Sequence, residues 1–266
     1  MSAPTFESDK DTLVRVGSTV CHIIVEFDNT CTTNVGMAFF IDTDHLVTAG
    51  HNLKRPEGYA IKSVHVISPG EPYINYDKLL EGVCPSLECT VIANLYTGSY
   101  GTDIALIRVP KCYKGPAAVE VLMEPPPIGS TVDVIGYPGD SSKNPHWLKD
   151  KKPELVSIER GLETIQKLLP SQKLAISRGT VQECTETLVK YKLSTVPGMS
   201  GSCVLHQGKL IGKFSPQRSD LILGVHIGET GSCPSALSFI GQTVMDLFQD
   251  KEILLNGRNR QSCMLS

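Results

Sequence analysis

Three short segments carry side chains that together could perform acyl-transfer chemistry. A run of small and apolar residues leads into His51, Asp103 stands at the start of an apolar run, and Ser200 lies in a glycine-flanked turn. A serine hydroxyl is a weak nucleophile until a neighbouring base accepts its proton. A histidine titrates near neutral pH and can be that base, while a carboxylate on its other ring nitrogen fixes the tautomer and stabilises the imidazolium.

The turn around the serine, Gly198-Met199-Ser200-Gly201-Ser202, suits the same chemistry. Glycines beside a nucleophile let the backbone turn tightly, so that N–H groups can face a developing oxyanion, and one such donor contributes about 10²–10³ in turnover. Each segment alone is a weak signal. The chain order His, Asp, Ser is informative, because it is the order of the chymotrypsin class and not of subtilisins or α/β-hydrolases. The hydrolase elbow also needs a glycine where this chain has Ser202.

Other histidines and aspartates fit these roles less well. His45 precedes its strand rather than following it, and His65 alternates within a strand-like run, which is typical of structural or surface residues. Asp77 and Asp133 lack the Asp-Ile-Ala-Leu context of Asp103. The histidines show no metal-ligand spacing and no Cys-x-x-Cys occurs, so no metal and no other cofactor are expected.

Short runs rich in Val, Ile, Thr and Tyr recur along the chain and are separated by Gly, Pro, Asn and Asp. This pattern predicts an all-β fold of barrels or sandwiches rather than βαβ units. The predicted strands cover residues 20–27, 37–41, 63–67, 90–95, 104–109, 131–137, 188–195, 203–206, 209–214 and 221–227. Gln207-Gly208 predicts a hairpin turn, and Pro125-Pro126-Pro127-Ile128-Gly129 predicts a linker between two halves of similar size.

One segment departs from the β pattern. Between residues 153 and 169, apolar side chains recur at helical spacing, and Pro170 follows them. We therefore expect an amphipathic helix inserted in the second half. Its polar face mixes both charge signs, which favours packing on a barrel over membrane binding.

The composition of the chain limits which binding partners and which cellular compartment are expected. The chain has 266 residues, 41% of them apolar and 20% charged, with a formal net charge of -3. A weakly acidic protein is a poor binder of phosphate backbones, so nucleic acid is not expected as a partner. There is no apolar run long enough to span a membrane. The polar N-terminus shows no secretory signal, unless the chain is a processed form, and most of the nine cysteines are then expected to be reduced thiols in a cytoplasmic protein.

The motifs together resemble a known family. Four segments are similar to the trypsin-like peptidases: Gly36-Met37-Ala38-Phe39-Phe40, Thr48-Ala49-Gly50-His51, Asp103-Ile104-Ala105-Leu106 and Gly198-Met199-Ser200-Gly201-Ser202. Two more resemble the glutamyl endopeptidase branch of that family: Gly136-Tyr137-Pro138-Gly139-Asp140 and Gly224-Val225-His226-Ile227-Gly228. The resemblance spans roughly residues 17–248 by motifs rather than by continuous identity.

The resemblance implies an all-β fold of two Greek-key six-stranded β-barrels, with the active site in the cleft between them. We expect a polar N-terminal segment over residues 1–16, a first barrel over 17–124 and a second barrel over 125–248, followed by a C-terminal tail over 249–266. The inserted helix and a C-terminal helix would add to the barrels. His51 and Asp103 would come from the first barrel and Ser200 from the second.

The resemblance also implies a serine endopeptidase that acts on polypeptides. The backbone N–H groups of Gly198 and Ser200 would form the oxyanion hole. His226 and Thr195 match places where a His and a Thr of glutamyl endopeptidases contact the substrate carboxylate, which predicts cleavage after Glu, with Asp weaker. A neutral His can also donate to an amide, so a Gln preference stays open. The competing interpretation is that His226 is a buried strand histidine and Thr195 an ordinary β-former.

The chain departs from the family pattern in four features. It shows neither a signal peptide nor a propeptide, it has no evident processing site for a mature amino terminus, it contains the inserted helix, and Met199 replaces a polar residue before the serine. These features bear on activation more than on the triad. The alternative function is a non-catalytic protease homologue that binds partners, although such proteins usually lose a triad member.

The last four residues, Cys263-Met264-Leu265-Ser266, resemble a C-a-a-X box, whose final Ser favours farnesylation of Cys263. A chance match in a cysteine-rich chain is the competing interpretation. One prenyl chain with only Arg258 and Arg260 nearby would bind membranes weakly and reversibly.

Overall fold

In a computed structural model of the chain, six antiparallel strands of the first half close into a barrel, in the order β1-β2-β3-β6-β5-β4. The strands are β1 (Val20–Phe27), β2 (Thr33–Phe40), β3 (His45–Thr48), β4 (Ile61–Ile67), β5 (Ser86–Asn94) and β6 (Ala105–Arg108). The structure describes residues 9–28, 33–55, 58–67, 86–94, 96, 103–116, 126–139, 163, 166–167, 169–171, 173–184, 188–193, 196–210, 225–230 and 233–237.

Strand β1 is apolar on both faces because it lies between two cores. Its alternate side chains Cys21, Ile23, Val25 and Phe27 fill the interior of the first barrel. Val20 and Ile24 point the other way, into a cluster that includes Ile135 and Leu205 of the second barrel. Successive side chains of a strand face opposite sides, so a strand at the junction of two barrels needs apolar residues at nearly every position.

The second half forms a second barrel. Its strands are β7 (Thr131–Gly136), β8 (Ala175–Cys184), β9 (Leu188–Lys192), β10 (Cys203–His206), β11 (Lys209–Leu210), β12 (Val225–Thr230) and β13 (Cys233–Leu237). Six of them follow one another as β7-β8-β9-β13-β12-β10, and a β10–β7 pairing closes the ring, while β11 extends β10 as a hairpin. The double-barrel prediction is confirmed. The hairpin turn has positive φ at Gln207 (51°) and Gly208 (74°).

A short helix, α1 (Asp9–Gly17), precedes the first barrel but packs against the second. Val16 of α1 is fully buried in the cluster between the barrels. Arg15 donates from Nη1 to the carbonyl oxygen of Gly208 at 3.1 Å. A Cβ on Gly17 would lie 2.4 Å from Cδ2 of Leu174, so the helix ends in close contact with the approach to β8. Half of the predicted polar N-terminal segment over residues 1–16 thus belongs to this helix.

Two predicted helices fall largely or wholly outside the described residues. Within residues 153–169, Glu163, Gln166 and Lys167 are helical, and Leu169 is buried in the core of the second barrel. The predicted C-terminal helix, like the tail over 249–266, lies outside the described part of the chain.

Candidate active site

The pairing of β3 with β6 brings His51 and Asp103 together. Thr48, the last residue of β3, pairs with Ala105, the first residue of β6. The chain leaves β3 into a short 3₁₀ helix, Gly50–Leu53, and enters β6 from Asp103. Because the two strands are antiparallel, the residues after Thr48 lie beside the residues before Ala105.

The Asp103 carboxylate contacts His51 twice. Oδ1 accepts the backbone N–H of His51 at 2.6 Å, and Oδ2 lies 2.5 Å from the ring nitrogen Nδ1. The Asp103 side chain is 0% exposed and that of His51 is 30% exposed. The buried carboxylate therefore fixes the ring through Nδ1, which leaves Nε2 as the nitrogen that can exchange a proton with a substrate or nucleophile.

Neighbouring residues restrict the position of the His51 ring. The rings of His51 and Tyr96 meet edge to face, with centroids 6.3 Å apart. Asn94 donates from Nδ2 to the Gly50 carbonyl oxygen at 3.2 Å. A Cβ on Gly50 would lie 2.7 Å from Asn94 Oδ1 and 3.1 Å from the Ile104 nitrogen, so only glycine fits directly before His51.

Ser200 lies in a tight turn between two glycines in the left-handed region, Gly198 (φ 93°) and Gly201 (φ 91°). Met199 also lies between these glycines. It is 0% exposed, and its side chain packs in the core of the second barrel. A Cβ on Gly201 would lie 1.9 Å from the Met37 carbonyl oxygen. The burial of Met199 in the second barrel and the close approach of Gly201 to the first barrel therefore fix the position of this turn between the two barrels.

The backbone amides of this turn differ in their hydrogen bonding. Met199 and Ser202 donate their N–H groups within the turn, to Val196 and Met199 carbonyl oxygens at 3.3 and 3.0 Å. Within the part of the chain that the structure describes, the N–H groups of Gly198 and Ser200 have no backbone acceptor. Such neighbouring donors suit an oxyanion.

The turn that carries Ser200 is tied to the first barrel and its 3₁₀ helix. The Ser200 carbonyl oxygen accepts the Met37 N–H at 2.8 Å. It also accepts an N–H from Nδ2 of Asn52, the residue after His51, at 2.9 Å. Ser200 of the second barrel therefore lies against the helix that carries His51.

The interface between the two barrels, referred to as the seam, contains a buried histidine beside the site. His22 is 0% exposed, donates to the Gly36 carbonyl and packs on Tyr137 with ring centroids 4.6 Å apart. Burial lowers the pKa of His22 to about 3, so its ring is neutral near neutral pH. The Tyr137 N–H donates to Met37 Sδ at 3.3 Å, a further bond across the seam.

The predicted specificity residues are placed only in part. The backbone of His226 lies in β12, where it pairs with Ala236 next to a register shift, and its neighbour Val225 pairs with Cys203 of β10. Thr195 and Cys263 lie outside the described residues.

The competing residues take part in other contacts. His45 contacts Asp42 at 3.0 Å, and His65 contacts Ser63 at 3.0 Å, so both belong to local surface networks. Cys203 lies close to Ser200 in the chain, but burial raises the pKa of its thiol to about 12, so it is a neutral core residue and not a nucleophile.

Three residues that contact the site were not predicted from the sequence: Asn52, Met37 and Tyr96. Asn52 directly follows His51, and a polar side chain one step from a candidate base is the sequence signal that could have indicated a role for it. Met37 was only part of a family motif. In the described stretches, no group of three His, Cys, Asp or Glu could hold a metal ion, and no helix there is long and apolar enough to cross a membrane.

Comparisons with known proteins identify the family and the fold of the chain. The family model of the trypsin-like peptidase domain matches residues 36–212. The Rv3671c protease of M. tuberculosis in its active form is similar in structure, with a TM-score of 0.54, 15% identity and coverage of 85% of this chain and 78% of that one. A Glu endopeptidase is also similar in structure, with a TM-score of 0.54 and 17% identity. The match covers 91% of this chain and 93% of that one. No curated protein sequence matches. The chain is a chymotrypsin-like serine endopeptidase and belongs to the trypsin-like peptidase family.

Proposed function

We propose that His51, Asp103 and Ser200 form a catalytic triad that hydrolyses peptide bonds. The observation that carries this proposal is the double contact of the buried Asp103 carboxylate with His51, together with the bond that ties Ser200 to the residue after His51. A base oriented by a carboxylate and a serine held on the facing barrel are the parts that nucleophilic acyl transfer requires.

In the proposed mechanism, His51 takes the hydroxyl proton of Ser200 through Nε2 as Oγ attacks the substrate carbonyl. The tetrahedral oxyanion accepts hydrogen bonds from the N–H groups of Gly198 and Ser200. His51 then gives the proton to the leaving amine, which leaves an acyl-enzyme on Ser200. Water attacks this ester with His51 again as the base, and the acid product and the free hydroxyl are released.

The alternative function is a protease homologue that binds polypeptides without cleaving them. The presence of all three side chains with both left-handed glycines favours catalysis. A fluorophosphonate probe distinguishes the two functions, because it reacts with a serine only when a base activates the hydroxyl. We expect stoichiometric labelling at Ser200, and a folded protein that stays unlabelled would support the binding function.

We further propose that the enzyme cleaves after Glu, with Asp weaker because its side chain is one methylene shorter, and with Gln as the runner-up. Support comes from β12, whose Val225 pairs with Cys203 three residues after Ser200, so that the backbone of His226 lies close to the turn that carries Ser200. Protonated His226 and the Thr195 hydroxyl would donate to the substrate carboxylate. The similar Glu endopeptidase supports the same proposal.

Replacing His226 with alanine is expected to lower kcat/KM for a Glu substrate by about 10–100-fold, because a hydrogen bond to a charged group contributes about 1.5–3 kcal/mol. In the wild type, cleavage after Glu should decline as pH rises and His226 loses its proton, whereas cleavage after Gln should not. Matched peptides that differ only in Glu, Gln, Asp, Lys or Phe before the scissile bond measure both effects.

The matched control is His206→Asn on the neighbouring strand β10. In the wild type, Nδ1 of His206 lies 2.7 Å from the Thr131 carbonyl oxygen, and the amide group of the asparagine can donate to the same oxygen. This variant should retain the Glu preference. Labelling of His226→Ala by a small fluorophosphonate should also be near normal, since the probe does not need the carboxylate contact. A Lys or Phe preference in the wild type, or unchanged Glu cleavage in His226→Ala, would remove the glutamyl specificity and leave the triad standing.

We also propose that the enzyme is cytoplasmic and that farnesylation of Cys263 attaches it weakly to membranes. Cys21, Cys89, Cys112 and Cys203 are free thiols, as in proteins of reducing compartments. We expect the protein isolated from a eukaryotic cytosol to lack its last three residues and to carry a farnesyl group, which intact-mass measurement detects. An unmodified Cys263 with Met264-Leu265-Ser266 still attached would contradict the proposal.

A further inference from the structure

One closed ring of hydrogen bonds joins the two barrels behind the nucleophile. Asn52 Nδ2 donates to the Ser200 carbonyl at 2.9 Å and to Thr48 Oγ1 at 3.0 Å. Thr48 Oγ1 donates to the Met37 carbonyl at 2.6 Å, and the Met37 N–H donates to the Ser200 carbonyl at 2.8 Å. Two residues of the first barrel, Asn52 and Met37, thus donate to one carbonyl of the second, and Thr48 links these two donors.

We infer that Asn52 is a positioning residue, which sets Ser200 relative to His51 through this ring. The inference rests on the proposed triad and extends it. Asn52 follows His51 in the same 3₁₀ helix, so any shift of its amide against the Ser200 carbonyl changes the distance between base and nucleophile. In active sites, a displacement of about 1 Å can lower the rate by about 10².

The chemistry of the ring requires an amide at position 52. The Ser200 carbonyl oxygen can only accept, and Thr48 Oγ1 already gives its proton to Met37, so both need a donor from Asn52. One NH₂ group supplies both protons. Asn52 is 5% exposed, and a Cβ on Gly36 would lie 2.3 Å from its Nδ2, so the buried amide fills the space that a side chain at position 36 would need.

An aspartate at position 52 would have the same shape but the opposite hydrogen-bonding character. Its carboxylate would face the Ser200 carbonyl with no proton between two acceptors, which is unfavourable in a buried site. Burial and the facing carbonyl would raise the pKa of this carboxyl. Protonation would then return one donor to the ring, so the damage should be greatest at high pH.

A matched control comes from Asn34, which holds the same helix without touching Ser200. Its Nδ2 donates to the Asn52 backbone carbonyl at 3.2 Å and to the Lys54 carbonyl at 3.1 Å. Asn34→Ala therefore removes two hydrogen bonds to the helix, and Asn52→Ala also removes two hydrogen bonds. A merely structural role of Asn52 predicts equal effects of Asn34→Ala and Asn52→Ala.

The test compares Asn52→Ala, Asn52→Asp and Asn34→Ala in the full chain, with kcat, KM and fluorophosphonate labelling rates measured from pH 6 to 9 and melting temperatures alongside. We expect Asn52→Ala to lower kcat and the labelling rate by about 10–100-fold with little change in KM, and Asn34→Ala to stay within about threefold. The activity of Asn52→Asp relative to wild type should fall as pH rises.

Each failure has its own signature. If the wild type is not labelled at Ser200, the proposed triad fails and not the positioning role. If Asn52→Ala keeps kcat within about threefold of wild type, or Asn34→Ala loses as much as Asn52→Ala, the inference is overturned. Should Asn52→Ala not fold, the isosteric Asn52→Asp decides, because a ratio to wild type that does not change with pH contradicts it.

Discussion

Replacing Ser200 with alanine is expected to lower the turnover of peptide substrates by about 10⁶, which is the usual cost when a serine nucleophile is lost. The turn itself should persist, because its shape depends on the left-handed Gly198 and Gly201 and on buried Met199, and not on the Ser200 hydroxyl. KM should therefore change little. Initial rates with a quenched Glu-containing peptide, measured on pure protein, test this expectation.

The chain offers a control two residues away. Ser202 is 0% exposed, and no partner of its hydroxyl is found among the described residues. Ser202→Ala removes the same atom from the same turn without removing a catalytic group. It should keep activity within a few-fold of wild type and leave stability equal or slightly higher, since no hydrogen bond is lost. Near-normal hydrolysis by Ser200→Ala would contradict the proposed mechanism outright.

The second large effect is expected from Asp103→Asn, which should lower turnover by about 10⁴ while the fold is kept. The geometry gives the reason. The His51 backbone N–H donates to Oδ1, so in the variant the amide oxygen must stay there and the NH₂ group must face Nδ1. Nδ1 then has to accept, the ring proton moves to Nε2, and the ring can no longer take the Ser200 proton.

A matched carboxylate-to-amide change elsewhere separates this effect from loss of charge. Asp133 forms an ion pair with Arg178 across β7 and β8, with Nε 2.7 Å from Oδ1. Asp133→Asn should weaken that pair and leave turnover unchanged. Comparable losses in Asp103→Asn and Asp133→Asn would show that Asp103 acts through general electrostatics or stability and not through the tautomer of His51.

Strands with strongly apolar patterns could be predicted from the sequence, and weaker ones could not. The segments at 20–27 and 203–206 coincide with β1 and β10. Strand β8 was missed because its buried positions include the small or polar Ala175 and Ser177, and its other positions are mostly polar. Strand β13 contains Pro234, which is tolerated because β9 pairs only with the residues after it, from Ser235 onward.

The short helix α1 could not be predicted either, because its own sequence supplies little helix stability. It has nine residues, and isolated helices of that length are marginal in water. Its stability comes from tertiary burial of Val16 and Leu13 against the barrels. Such partners are distant in the chain and leave no local pattern.

For the candidate site, residue types and order indicated which side chains to examine, while the supporting contacts became visible only in three dimensions. His51 and Asp103 stood out because their local motifs are specific. The Asn52 bond to Ser200 joins residues 148 positions apart, and no spacing rule predicts such a contact. The same holds for Met37, whose N–H, carbonyl and sulfur all take part in bonds at the seam.

The path of α1 has a mechanical consequence. The helix precedes β1 in the chain and contacts it, yet it also contacts β7, β8 and the Gly208 turn of the other barrel. A stretching force applied at the N-terminus would therefore act first in shear on the contacts of Arg15 and Gly17 with the second barrel. Only after α1 detaches would the load reach β1. We therefore expect α1 to detach from the second barrel before the barrels themselves separate.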